Sequence, residues 1–206
     1  MERFLFRLSC SQHASSFVLK GGLMLLVWRA PLSRPTMDID VLGMLDNDVH
    51  AVEQVVKDIC IQEVEPDGLA FDPGSVQGQV IAEHASYEGV RVRFRGFLGG
   101  ARVTLQLDVG FGDAVVPTAA PIDYPAILDF PAPSLLGYSR ESVVAEKFHA
   151  MVRLGTVSSR MNDFFDIWLL ARQFDFDEED LGTVKQQLSG HADGSRSSIR
   201  GGTHPG

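Results

Sequence analysis

Residues 17–43, FVLKGGLMLLVWRAPLSRPTMDIDVLG, decide the fold. A short apolar run of β type, residues 17–19, ends at a pair of glycines. An apolar run suited to a buried helix follows over residues 23–28, and residues 37–42 then alternate as a strand does. This order of strand, glycine pair, helix and strand is more informative than any of its elements alone.

Two acids stand two residues apart on the strand predicted over residues 37–42. Asp38 and Asp40 point to the same side of that strand, and their charges repel unless a cation lies between them. Mg²⁺ binds in proteins through one or two carboxylates together with substrate phosphates. The pair alone fits a solvated strand edge or a turn equally well.

A second alternating strand supplies a third acid. Residues 103–109 place Asp108 on the polar face, opposite an apolar set. If this strand is a neighbour of the strand over residues 37–42, three carboxylates converge. Three acids can hold the two divalent ions used in phosphoryl or nucleotidyl transfer. Taken alone, Asp108 is more simply an exposed strand residue.

Lys20, Gly21 and Gly22 precede the predicted buried helix. Two glycines allow close approach of the backbone, and a helix N-terminus offers free N–H groups to a phosphate. The segment does not match the longer Walker A pattern, and an ordinary glycine turn also explains it.

Charged side chains also lie on two helices predicted near the C-terminal end, over residues 139–154 and 160–173. Lys147 lies in the apolar sector of the first helix, so its ammonium must reach solvent or find an anion, either a triphosphate or a buried aspartate. Asp163 in the first turn of the second helix can favour the helix dipole. Asp166 lies deeper and needs a partner such as Lys147, Arg160 or substrate.

Length, charge and cysteine content narrow the class of protein. The 206 residues suffice for one domain or one domain with a small lobe. The net charge of −9 argues against a protein that coats polyanions without specificity, although residues 89–107 carry four arginines and no acid. Two cysteines imply no disulfide framework. Because no apolar run spans a bilayer and residues 1–16 lack a signal-peptide layout, we predict a soluble cytoplasmic protein.

Four separated motifs resemble one known family. They are FVLKGGLMLL, RPTMDIDVLG, LQLDVGFGD and SVVAEKFHAMVRLGTVSSRMNDFFDIWLLAR, in that order. Together they resemble the AbiEii/AbiGii toxin family of nucleotidyltransferases, within the DNA polymerase β-like superfamily. The resemblance implies an α+β nucleotidyltransferase fold, with a mixed β-sheet, flanking helices and a helical C-terminal lobe.

The resemblance also implies a role for each candidate residue. Asp38, Asp40 and Asp108 would bind Mg²⁺ or Mn²⁺, and Asp108 would activate the acceptor hydroxyl. Lys147 and one of Asp163 and Asp166 match the late lysine and aspartate of the family, and the motif leaves the choice of aspartate open. The implied catalytic residues are Asp38, Asp40, Asp108, Lys147 and Asp166. The implied nucleotide-binding residues are Lys20, Gly21, Gly22, Arg34, Thr36, Lys147 and Asp163.

The activity implied is transfer of a nucleotide from an NTP to an acceptor, which in some relatives is tRNA. The protein would be the toxin of a bacterial toxin–antitoxin or abortive-infection system, with a cognate antitoxin as partner and no membrane association. Basic segments over residues 20–34 and 91–102 would hold the nucleotide and an RNA acceptor, unless the arginines form a solvated strand face. Two alternatives stay open. One is an inactive or truncated nucleotide- or antitoxin-binding protein on the same fold, and the other is a nucleotidyltransferase for small molecules.

The predicted organisation has four parts. They are a nucleotidyltransferase core with an N-terminal helix over residues 1–116, a Pro-rich linker over residues 117–138, a helical lobe over residues 139–188, and a disordered Gly/Ser-rich tail over residues 189–206. Family members usually extend further at both ends, so a shortened gene product with an incomplete helical lobe is the corresponding hypothesis.

Overall fold

The computed structural model describes residues 1–30, 35–82, 88–112, 115, 117–154, 161–176 and 182. These residues form five α-helices and seven β-strands. The helices are α1 (Glu2–Cys10), α2 (Met24–Val27), α3 (Val49–Cys60), α4 (Arg140–Leu154) and α5 (Met161–Gln173). The strands are β1 (Phe17–Lys20), β2 (Asp38–Gly43), β3 (Leu69–Ala82), β4 (Glu88–Leu98), β5 (Ala101–Phe111), β6 (Ala120–Asp123) and β7 (Ser134–Gly137).

The strands form one mixed sheet in the order β3-β4-β5-β2-β1-β7-β6. β2 runs parallel to β5 and β1 runs parallel to β7, whereas the other neighbouring pairs are antiparallel. The expected mixed sheet with flanking helices is therefore confirmed. The three acids could converge only if the strands that carry them were neighbours, and β2 and β5 are neighbours.

The side chains on one face of β4 belong to the hydrophobic core, as the alternation in its sequence predicts. Val90, Val92 and Phe94 are buried, and the Phe94 ring lies 4.6 Å from the ring of Phe4 on α1. Phe71 of β3 adds an edge-on contact with Phe4 at 5.7 Å. Because side chains alternate along a strand, the intervening arginines of β4 face away from α1.

A buried carboxylate ties α1 to the start of β3. Asp67 accepts hydrogen bonds from Nε of Arg3 at 2.8 Å and from Nη1 of Arg7 at 2.8 Å, and its side chain is 1% exposed. Burial alone would raise the pKa of Asp67, but the hydrogen bonds from Arg7 and Arg3 outweigh burial and hold the pKa well below its ordinary value. Asp67 therefore stays ionised and fixes the position of α1.

The Pro-rich stretch expected to be a linker instead completes the sheet. β7 pairs with β1, and β6 pairs with β7 at the edge. Pro121 lies within β6, where an edge strand tolerates a residue without an N–H group. The buried side chains of Tyr124, Leu135 and Tyr138 anchor this segment. The prolines thus mark an edge strand and its flanks rather than a crossing between lobes.

Two other elements differ from the sequence-based expectation. The helix expected over residues 23–28 is a single turn, α2, preceded by a 3₁₀ turn over Gly21–Leu23. β3 was not predicted, because its Asp72-Pro73-Gly74 segment is typical of a turn. The strand accommodates that segment with a register shift between Asp72 and Gln77.

The chain divides into two units. The sheet unit comprises Met1–Gly112 and Ala119–Tyr138, and the helical unit comprises Asp113–Thr118 and the residues from Ser139 onward. Ser139 begins the second unit as a helix cap, since its hydroxyl oxygen accepts the N–H of Ser142 at 3.0 Å. None of the helices among the described residues is long and apolar enough to cross a membrane. The predicted tail over residues 189–206 lies outside the described residues.

Candidate active site

The register between β2 and β5 brings the predicted acids onto one face of the sheet. Asp40 lies opposite Asp108, and Asp38 lies opposite Gln106. Since paired residues on neighbouring strands share a face, and Asp38 and Asp40 are two residues apart, the three carboxylates point the same way. Asp38 and Asp40 are half-buried, whereas Asp108 is 7% exposed.

Arg91 of β4 holds the carboxylate of Asp108 from the other side. The two residues are direct partners in the β4–β5 ladder. Nε of Arg91 donates to Oδ1 of Asp108 at 2.8 Å, and Nη2 donates to Oδ2 at 2.6 Å. Gln106 adds a longer hydrogen bond to Oδ2 at 3.3 Å. Such a two-pronged contact fixes the plane of the carboxylate as well as neutralising its charge.

Two acids lie between two basic residues in a single row across four strands. Arg91, Asp108, Asp40 and Lys20 are successive partners in β4, β5, β2 and β1. The hydrogen bonds to Asp108 raise the pKa of the Arg91 guanidinium above its ordinary value, and the charges of Asp38 and Asp40 add to this effect. Lys20 is 2% exposed, so the row ends in a buried positive charge beside Asp40.

Gly21 lies in close contact with Asp40 and cannot be replaced by a larger residue without strain. Its φ angle is +69°, which is a region that favours glycine. A Cβ built on Gly21 would overlap Oδ2 of Asp40 and lie 2.8 Å from the Cβ of Asp40. The glycine therefore allows the backbone after β1 to pass against the carboxylate of Asp40.

For the remaining residues expected to bind nucleotide, the structure gives a position in the fold but no contact that indicates a role. Gly22 is buried in the 3₁₀ turn after β1. Thr36 is half-buried just before β2, and Arg34 lies outside the described residues. The contacts of Gly21, Gly22 and Thr36 with a triphosphate stay predictions.

The chemistry of the three acids suits a divalent cation. Carboxylate oxygens are the ligands that Mg²⁺ and Mn²⁺ prefer, and the guanidinium of Arg91 already stands in for a cation at Asp108. In the part of the chain that the structure describes, no three His, Cys, Asp or Glu side chains are arranged to hold a metal. Arg91 engages both oxygens of Asp108. The donor set of Asp38, Asp40 and Asp108 thus fits such a cation in its chemistry.

The helical unit contains a second charged cluster, which we call the lysine cluster: Lys147, Asp163 and Asp166. Nζ of Lys147 lies 2.7 Å from Oδ1 of Asp163 and 2.9 Å from Oδ2 of Asp166. Lys147 is 9% exposed and Asp166 is fully buried. The expected pairing of Lys147 with Asp166 is present, and Asp163 joins it, so the geometry does not choose between the two aspartates.

The charge of the lysine cluster is set by two opposing effects. Burial lowers the pKa of Lys147, but the charges of Asp166 and Asp163 outweigh burial and raise the pKa above its ordinary value. The lysine therefore remains an ammonium ion at neutral pH. An ammonium has three N–H donors, and the two carboxylates account for two of them.

The sequence contained a signal for the contact between Arg91 and Asp108 that our sequence analysis did not use. Gly99-Gly100 connects β4 and β5 as a two-residue turn, with Leu98 opposite Ala101. Counting the same number of residues outward from both sides of that turn places Arg91 opposite Asp108. The length of the turn therefore determines that Arg91 and Asp108 are partners.

A surface cavity of about 470 Å³ lies elsewhere in the sheet unit, lined by Arg7 and residues 60–71. None of the described site residues lines it. Cys60 faces this cavity, but burial raises the pKa of its thiol to about 12. The thiol therefore stays protonated at neutral pH and is a poor nucleophile.

The family model described as "Nucleotidyl transferase AbiEii toxin, Type IV TA system" matches residues 3–200. The chain belongs to the AbiEii family of nucleotidyltransferase toxins. This membership confirms the resemblance carried by the four motifs and identifies the protein as a nucleotidyltransferase of a toxin–antitoxin system. None of the curated proteins compared with this AbiEii chain matches it.

Solved structures agree on the fold of this AbiEii chain. JHP933 from Helicobacter pylori is 19% identical, with a TM-score of 0.54 over 95% of this chain and 74% of that protein. The antibiotic-resistance factor ANT(2'')-Ia is 11% identical, with a TM-score of 0.52 over 95% of both chains. At these identities the likeness establishes the nucleotidyltransferase fold and no substrate.

Proposed function

We propose that this AbiEii protein transfers a nucleotide from an NTP to a hydroxyl group of an RNA acceptor, tRNA being the first candidate, with Mg²⁺ or Mn²⁺ bound by Asp38, Asp40 and Asp108. It would act as a toxin that a cognate antitoxin neutralises. The observation that carries the proposal is the register of β2 and β5, which sets Asp40 directly opposite Asp108 with Asp38 on the same face.

The proposed residues act by positioning and proton transfer. A bound divalent cation would neutralise the charge of the triphosphate. Asp108 accepts the proton of the acceptor hydroxyl, whose oxygen attacks the α-phosphorus of the NTP. The bond from that phosphorus to the bridging oxygen breaks, and pyrophosphate leaves. Before a cation binds, Arg91 orients the carboxylate of Asp108 through two hydrogen bonds.

The helical unit would contribute a nucleotide-binding group of its own. Lys147 is held by Asp163 and Asp166 at 2.7 and 2.9 Å, and its third N–H donor suits a phosphate oxygen. The buried aspartates keep the ammonium charged and in place. We therefore retain Lys147 as a proposed nucleotide-binding residue, and Asp163 and Asp166 as proposed site residues that both hold it, with no choice made between them.

The acceptor is proposed to be RNA because of the polar face that β4 and β5 share. Arg93, Arg95 and Arg102 are exposed on this face, which also carries the acids. Phe97 is 38% exposed and lies opposite Arg102. Arginines attract phosphates, and an exposed aromatic ring can stack on a base. A small neutral acceptor would not need this charge.

Labelled nucleotide transfer tests the proposed function. The protein is incubated with Mg²⁺ and each α-labelled NTP, together with total RNA, a set of small hydroxyl compounds, or no acceptor. Asp38→Asn/Asp40→Asn is the test variant, and Asp46→Asn, an exposed acid in the loop after β2, is its matched control. We expect label on RNA with the wild type and Asp46→Asn, and none with the double variant.

Other results would support the alternatives. Label on a small compound alone would identify a small-molecule acceptor. NTP binding without transfer to any acceptor would indicate an inactive binding protein on the same fold. Transfer that is unchanged in Asp38→Asn/Asp40→Asn would refute the assignment of these acids.

A further inference from the structure

The pair formed by Arg91 and Asp108 is unusual because it places a positive charge where the proposed reaction needs a cation. Both oxygens of Asp108 accept hydrogen bonds from one guanidinium. In this arrangement Asp108 has no oxygen that is free of Arg91. Asp38 and Asp40 are the other two acids on this face.

We infer that Arg91 is a positioning residue that holds Asp108 and competes with a divalent cation for this carboxylate. The three acids would therefore bind a cation weakly until nucleotide phosphates supply further ligands. This inference rests on the proposed function, in which the acids bind the cation.

The exposure of the two partners indicates which one can move. The side chain of Arg91 is 29% exposed, whereas that of Asp108 is 10% exposed. A guanidinium at this position can turn toward solvent or a phosphate without burying an unpaired charge. Asp108, by contrast, would remain in place beside Asp40. The arginine is thus the exchangeable partner and the aspartate the fixed one.

The surroundings of Arg91 strengthen this assignment. Its neighbour on β3 is Gln79, which carries no charge, and its guanidinium donates two hydrogen bonds to Asp108. The positive charge of Arg91 therefore offsets part of the charge of the three acids, in addition to that of Lys20 beside Asp40. Removing the charge of Arg91 strengthens the attraction of the acids for a divalent cation by Coulomb's law.

Binding of Mn²⁺ without nucleotide tests the inference on the full chain. Free Mn²⁺ is followed by electron paramagnetic resonance while metal is added to wild type, Arg91→Gln and Arg91→Lys. We expect Arg91→Gln to bind Mn²⁺ about tenfold more tightly than wild type, since the competing charge is gone. Arg91→Lys keeps the charge and should bind within about threefold of wild type.

A neighbouring arginine provides the matched control. Arg93 lies two residues away on the same face and donates to the neutral Gln106 at 3.1 Å. Because its charge is exposed and its hydrogen bond goes to an amide rather than to an acid, salt screens it, and Arg93→Gln should bind Mn²⁺ within about twofold of wild type. Thermal unfolding of every variant establishes that each is folded.

The outcomes separate this inference from the proposed function. Equal or weaker Mn²⁺ binding by folded Arg91→Gln overturns the competition and leaves the metal site intact. Absence of Mn²⁺ binding by wild type and Arg91→Gln, even with a non-hydrolysable NTP analogue, overturns the proposed metal site and the inference with it. Tighter binding by Arg91→Gln that Asp38→Asn/Asp40→Asn abolishes supports both.

Discussion

At the scale of single residues, the site depends on short contacts that few other side chains could make. Gly21 passes against Asp40, and Arg91 holds Asp108 by two hydrogen bonds. Outside the site, Asp67 holds two arginines of α1. The contacts of Gly21 and Asp67 each lead to a prediction.

Gly21→Ala is expected to reduce nucleotide transfer severely. The new Cβ would overlap the carboxylate of Asp40, and an L-residue at this positive φ costs about 1–2 kcal/mol. Gly99→Ala is the matched control, because Gly99 also has a positive φ of 56° but a Cβ there meets nothing within 4 Å. Both variants bear the cost of the positive φ, but only Gly21→Ala also bears that of the overlap, so chemical denaturation should show the larger loss of stability in Gly21→Ala, and only Gly21→Ala should lose transfer. Equal activity of the two would refute the role of Gly21.

Asp67→Asn is expected to destabilise the protein by about 3–5 kcal/mol at neutral pH, because it leaves buried arginines without their charged partner. The folded protein holds the pKa of Asp67 below its ordinary value. This stabilisation is therefore complete above the unfolded pKa of about 3.9 and is lost as the pH falls below it. Denaturation from pH 7 to pH 3 should show the difference between variant and wild type shrinking in acid. A difference independent of pH would contradict the account.

At the scale of elements, the parallel pairing of β2 with β5 is the decisive arrangement. The alternation within each strand predicted which side chains share a face, because that pattern is local. The partner of each strand is not local, so the sequence left the convergence of Asp40 and Asp108 conditional. Likewise β6 was not predicted. Pro121 is compatible with a strand only at the edge of a sheet, and the order of the strands, which puts β6 at the edge, is not a local property of the sequence.

The helix pair α4 and α5 makes a prediction of its own. Lys147→Met is expected to destabilise the helical unit by about 3–5 kcal/mol, because Asp163 and Asp166 would be left buried as like charges. Lys147→Met/Asp163→Asn/Asp166→Asn should recover much of the loss, since no unpaired charge remains. Circular dichroism during urea unfolding measures both. A triple variant no more stable than Lys147→Met would show that the cluster does not act through charge pairing.

At the scale of the whole molecule, net charge is a poor guide to the partner. The total is −9, yet the exposed arginines of β4 and β5 lie on the same face as the candidate active site. Local charge on a defined face governs the binding of a polyanion more than the total does. The sequence pattern identified this segment correctly as basic, but only the sheet register relates it to the acids.

RNA binding should therefore depend strongly on salt. We expect Arg93→Gln/Arg102→Gln to weaken binding of RNA. The slope of the logarithm of the binding constant against the logarithm of the salt concentration should fall by an amount that corresponds to about one to two phosphate contacts. Arg172→Gln, on α5 in the helical unit, is the control and should bind RNA as the wild type does. Fluorescence anisotropy at several salt concentrations measures this. An unchanged salt slope in the double variant would count against the proposed acceptor face.

The central claim is that Asp38, Asp40 and Asp108 form one metal-dependent centre for nucleotide transfer. The most direct test is the rate of label transfer by Asp108→Asn next to the wild type, with NTP binding measured on the same samples. Asparagine keeps the shape but cannot accept the proton, so transfer should fall by roughly a hundredfold or more while NTP binding persists. Transfer by Asp108→Asn at the wild-type rate would contradict the account.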